Sequence, residues 1–139
     1  MKVIDFIVAD DIRTEQGNKY SVMGIYSDCI TMSVPAEVKW PIGFRFASFV
    51  RLELGRGDPD ALRFEFKIFS GDRDVAGFAG AVVKAPDTNI VTLPLVVSFL
   101  PLAGAGELHF RFRVLDDAGQ ELLSENLRAL RVVVTPAKV

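Results

Sequence analysis

Asp10 and Asp11, with Arg13 and Glu15 close behind, form the densest cluster of titratable side chains in the sequence. Paired carboxylates can divide acid and base work between them, as they do in glycosidases. Adjacent residues of an extended segment point to opposite sides, however, so Asp10 and Asp11 cannot both face one substrate. The pattern reads first as a structural turn with Arg13 paired locally, and a hydrolase using Asp10, Asp11 or Glu15 is the most distant alternative. Nucleophilic catalysis needs a serine or cysteine beside an oriented base, and the chain holds a single cysteine, Cys29, and a single histidine, His109. Cys29 reads as a small buried hydrophobe and His109 as a surface side chain. No Gly-x-Ser-x-Gly elbow, phosphate-binding loop or dinucleotide fingerprint occurs, so no catalytic residue and no cofactor are expected.

One cysteine and one histidine are also too few for a zinc site of the usual kind, but calcium takes oxygen ligands. Asp58, Asp60, Asp87, Asp116 and Asp117 all fall in turn-forming stretches. If the strands alternate direction after Phe44, those loops gather at one end, which is what a calcium- or glycan-dependent binding module would use. Aspartate is also a favoured turn residue because it hydrogen-bonds its own backbone. The expectation is therefore five turn residues and no shared metal site.

Basic residues occupy the nominal outward phase of several strands: Arg45, Arg51, Arg63, Lys67, His109, Arg111, Arg113, Arg128 and Arg131, against Glu53 and Glu65. His109, Arg111 and Arg113 are the candidates for binding an anion, since the guanidinium fork suits carboxylate or phosphate. Cross-strand pairing with Glu53 and Glu65 is the simpler reading. Nucleic acid is disfavoured because no aromatic side chains are interleaved on that face. Ala47, Phe49 and Val96 are apolar in the outward phase and are the interface candidates; burial on both faces or a β-bulge explains them equally well.

All these side chains must be positioned by strands. In Leu108-His109-Phe110-Arg111-Phe112-Arg113-Val114, apolar and polar residues alternate with a period of two, the mark of a half-buried strand. The same pattern places strands at residues 3–9, 44–54, 62–69, 74–83, 90–99, 107–115 and 121–134, with a short one at 28–32. Residues 12–16 and 19–26 read as a hairpin turning at Gly17-Asn18. A second hairpin is expected from residues 44–54 and 62–69, and Gly77 and Gly80 make 74–83 an irregular edge. Pro35, Trp40, Pro41 and Gly43 indicate a crossover between sheets. The expected core is Phe6, Val50, Leu52, Phe64, Phe66, Ile68, Leu95, Val97, Phe110, Phe112 and Val132. Only residues 121–131 could form a helix, and the β-branched run that follows favours a strand.

At 139 residues, half of them hydrophobic and with a net charge of −2, the chain suits one packed domain over residues 1–139. The fold class is all-β: an antiparallel two-sheet sandwich of immunoglobulin-like or C2-like type, with a closed β-barrel as alternative. Asp5 interrupts the first apolar run, so the N-terminal segment reads as a strand and not a signal peptide. The longest apolar run, residues 93–103, is far short of the ~20 residues of a spanning helix. A soluble, cytoplasmic protein without membrane contact is expected.

The segment Ala9-Asp10-Asp11-Ile12-Arg13, with Gly17, Lys19, Ser21 and Gly24-Ile25-Tyr26, resembles the opening hairpin of an uncharacterised family of small β-rich bacterial proteins. Pro94 to Phe99, Gly106, the 108–114 strand and Gly119 extend the likeness over nearly the whole chain. Asn18 is an insertion relative to that pattern, and Leu108 replaces an aromatic residue. The family is a domain of unknown function, so the resemblance implies a β-rich fold and carries no site residue across. With it, the sequence points to a non-catalytic binding or assembly module of a bacterial complex, contacting an unidentified protein partner or a second copy as a homodimer.

Overall fold

The computed structural model describes residues 1–138, which form nine strands and no helix. They are β1 (Lys2–Glu15), β2 (Lys19–Ile25), β3 (Cys29–Val34), β4 (Ile42–Glu53), β5 (Leu62–Ser70), β6 (Arg73–Val82), β7 (Ile90–Leu102), β8 (Gly106–Asp116) and β9 (Glu121–Pro136). Two sheets result, ordered β2-β1-β4-β7 and β3-β9-β8-β5-β6. No helix of the described residues is long and apolar enough to cross a membrane.

The alternation in β5 and β8 has its expected consequence. Phe66 pairs with Phe112, Ile68 with Phe110 and Phe64 with Val114, and all six are buried between the sheets. Phe110 joins the two layers: its ring lies 5.7 Å from Phe46 and 5.3 Å from Phe6, both on the four-stranded sheet, and 6.0 Å from Phe66 beside it. The expected core is buried except for Phe6 and Val97, which are half-buried and packed against it. Residues 121–131 are strand, as the run after them favoured.

Three details of organisation depart from the sequence reading. Residues 44–54 and 62–69 do not form a hairpin: β4 pairs with β1 and β7, β5 pairs with β6 and β8, and the segment between crosses from one sheet to the other. One pair is parallel, β3 with β9, because the chain enters β3 by crossing sheets and not by a hairpin. The segments at 3–9 and 12–16 are one strand, β1.

That strand changes partners along its length, pairing with β4 over Lys2–Ala9 and with β2 over Ala9–Glu15. Tyr20, paired with Thr14, nevertheless has its ring 5.8 Å from that of Phe49, which is paired with Ile7. Thr14 and Ile7 would be about 23 Å apart on a straight strand. Strand β1 therefore curls, and the β1–β2 hairpin folds over the outer face of β4. The four-stranded sheet becomes a half-barrel with a second, smaller apolar layer outside it.

Candidate binding surfaces

The curl decides the fate of the apolar outward residues. Ala47 is 0% exposed, so it presents no surface to a partner. Phe49 is half-buried against Tyr20, and Val96, which pairs with Ala47, is half-buried beside it. Two-sided burial thus accounts for Ala47 and for part of the surface of Phe49 and Val96. An uncharged run from Phe46 to Val50 was the signal for it in the sequence.

The carboxylates of the first hairpin are held apart. Asp10 accepts the Tyr26 hydroxyl, while Asp11 Oδ1 accepts the Ile12 N–H at 3.0 Å and an Arg45 nitrogen at 2.8 Å. Arg13 is the more distant neighbour of Asp11, at 3.9 Å, so the expected local partner is secondary to a residue on β4. The hydrogen bond from Arg45 holds the Asp11 carboxyl below its ordinary value, against partial desolvation. Glu15 accepts the Ser21 hydroxyl at 3.0 Å. Each of the three carboxylates has its own partner, and no two converge on a common point.

The aspartate loops do share one end of the molecule, since Leu62 pairs with both Asp116 and Val82, and Glu53 with Ile90. Within that end Asp58 and Asp116 are used locally. Asp58 accepts the Gly55 N–H at 2.5 Å and lies 3.3 Å from the Met1 nitrogen. Asp116 accepts the N–H groups of Ala118 and Gln120 at 2.9 and 2.8 Å, shaping the β8–β9 turn with Asp117 exposed in it. Asp87 occupies a left-handed turn position at φ 64°, and Asp60 is exposed. Among the described residues no three His, Cys, Asp or Glu side chains are gathered so as to hold a metal ion.

On the outer face of the five-stranded sheet, register converts the basic stripe into a neutralised ladder. Glu65 is directly opposite Arg113 and Lys67 opposite Arg111. Arg113 donates to Glu65 at 2.9 Å and to Glu121 at 3.0 Å. Arg111 lies 3.8 Å from Glu65 and 5.4 Å over the Phe69 ring. His109 Nε2 is 3.1 Å from Glu107, on an exposed pair. The three anion-binding candidates therefore have carboxylate partners in the chain itself.

The Arg113 hydrogen bond holds the Glu65 carboxyl below its ordinary 4.5, against the opposing effect of partial burial. A depressed folded-state pKa contributes stability that is complete above the unfolded value and is lost as pH falls through the folded one. Glu65→Gln should accordingly be less stable than the parent at neutral pH, with the gap closing below about pH 4. Urea midpoints of both proteins at about pH 7 and about pH 3 check this; a constant gap would show the ion pair contributes nothing.

What remains unpaired is a sheet edge. Strand β6 closes the five-stranded sheet and has a neighbour, β5, on one side only. Between Asp74 and Lys84 it carries no charge and no proline. The other edges are protected: β7 contains Pro94 and Pro101, β3 is 6 residues long and followed by Pro35, and β2, of 7 residues, opens on Lys19 and is curled over the outer face. Shallow depressions accompany β6 along its length. One of about 260 Å³ lies at its start, between Arg73, Val75, Trp40 and Pro101; one of about 240 Å³ lies at its middle, between Lys67 and Phe78. Both are below the usual size of a small-molecule site, and one of about 350 Å³ at the end of β6, between Val82, Lys84, Asp58 and Asp60, is at its lower limit.

No family model matches the chain, and no curated protein matches it either. Fold and surface define the class: an all-β protein of two sheets, with a neutralised outer face on the five-stranded sheet and, at β6, a long edge whose residues between Asp74 and Lys84 include neither charge nor proline.

Proposed function

We propose that this protein is a non-catalytic binding or assembly module, an immunoglobulin-like β-sandwich that engages protein by accepting an extended strand at the β6 edge. The strand order supports the sandwich type. Strands β4, β5, β6, β7, β8 and β9 correspond in order and sheet to B, C, C′, E, F and G of an immunoglobulin domain, and β3 lies parallel to β9 as an extra first strand. The single observation that carries the binding reading is the 10-residue β6 edge, unpaired on one side and uncharged between Asp74 and Lys84. Free backbone N–H and C=O groups supply affinity in strand addition, and neighbouring pockets supply selectivity.

The test is positional. A benzophenone photo-crosslinker placed at Ala81, exposed on β6, should give protein adducts on irradiation in extract of the native cells. The same group at Ser124, exposed on β9 three strands away and about 14 Å distant, should give none. Absence of adducts at Ala81, or equal yields at both positions, would overturn the reading.

A further inference from the structure

We infer that the strand accepted by β6 is β6 of a second copy, paired antiparallel about a two-fold axis at Ala79; this rests on the reading of β6 as the binding edge. An isologous contact requires a self-complementary surface, and the sequence of β6 is complementary to its own reverse. Pairing centred on Ala79 sets Ala76 opposite Val82, Gly77 opposite Ala81, and Phe78 opposite Gly80 of the copy. Just beyond this ladder a β-bulge at Val75 ends the regular register of β6, and Asp74 is held by Lys67 of its own sheet at 3.3 Å.

Neighbouring registers lose this match. Centring on Phe78 would set two phenyl rings against each other; centring on Gly80 would set Lys84 beside Ala76. Shifts that put an even-numbered residue opposite an odd-numbered one would place core-facing residues across from outward-facing ones, reversing one copy's faces.

The faces agree with the match. Phe78 packs on Phe66 on the core side, at 6.4 Å, and Gly80 is on the same side with the Phe64 ring 3.1 Å from where a Cβ would stand. An aromatic side chain opposite a glycine on an adjacent strand covers the backbone the glycine leaves bare. Gly77, Ala79 and Ala81 are exposed on the outer side and are small enough for close approach. The joined sheet would have ten strands, at the upper end of common sheet size.

Sedimentation velocity of the full chain over a concentration series tests this. The unmutated protein should show a monomer–dimer equilibrium. Because the axis sets position 79 against itself, Ala79→Lys and Ala79→Glu should each weaken association by roughly tenfold or more through like-charge repulsion. An equimolar mixture of the two variants should restore it. Position 79 is exposed, so both variants should keep the parent circular dichroism spectrum, and Ser124→Lys should leave association unchanged. A concentration-independent monomer in the unmutated protein overturns the inference, as does a dimer that survives both substitutions or a mixture that fails to reassociate. A monomer whose Ala81 crosslinks reach only other proteins would overturn the second copy as occupant while leaving β6 as the binding edge. No crosslink at all would remove both.

Discussion

Phe110→Ala should destabilise the protein by about 3–5 kcal/mol. The ring is 1% exposed and stacked on Phe46 at an interplanar angle of 5°, with Phe66 and Phe6 completing its surroundings. Its removal opens a cavity between two sheets whose backbones are held by ladders on both sides, so the walls cannot collapse inward, and the loss falls in the upper part of the range for large-to-small changes. Domains are stable by only about 5–15 kcal/mol, so a large share of the total disappears. The measurement is a urea or guanidinium midpoint, which should move while the slope stays constant. Phe99→Ala is the matched control: that ring is 64% exposed, lying across Gly43, and its loss should stay within about 0.5 kcal/mol. Equal effects of the two substitutions would contradict the assignment of the core.

Gly24→Ala should be the next most damaging change, costing about 2 kcal/mol. Gly24 has φ 66°, where a side chain costs roughly 1–2 kcal/mol. A Cβ there would also overlap the Asp10 carboxylate, which accepts the Tyr26 hydroxyl. Gly17→Ala isolates the backbone contribution, since Gly17 has φ 79° and nothing within 4 Å of its would-be Cβ. The excess of the Gly24 change over the Gly17 change then measures the displaced contact. Its pH dependence gives a second readout. Burial first, and then the hydrogen bond and charge of Asp10, push the Tyr26 phenol well above its ordinary 10.0. A raised folded-state pKa contributes stability that is complete below the unfolded value and is lost as pH rises above it. If Gly24→Ala displaces Asp10, part of that contribution is already absent, and the gap between variant and parent should narrow above about pH 10. A gap that is unchanged in alkali would show that Asp10 stays in place.

Strand existence and phase were legible in the sequence, because both depend on neighbours along the chain. Phe64, Phe66 and Ile68, and Phe110, Phe112 and Val114, alternate with charged residues, and the period of two leaves one solution for which face is buried. Aspartate at 58 and 116 announced turns for the same local reason, each carboxylate bonding backbone N–H groups a few residues away. The pairing of strands was decided only by the tertiary structure. Residues 54–61 looked like the loop of a hairpin, yet β4 and β5 lie in opposite sheets and bury their apolar faces in the shared core, a choice set by that whole core; the only local hint was a loop long for a hairpin. Nothing local showed that β1 would exchange one partner for another at Ala9 and curl, placing Tyr20 on Phe49 and burying Ala47. The charged face followed the same rule. The sequence supplied Glu65, Arg111 and Arg113, but register on adjacent strands set Glu65 opposite Arg113 and turned a basic stripe into a neutral ladder, because cross-strand distances are fixed by hydrogen-bonded pairing and not by separation along the chain.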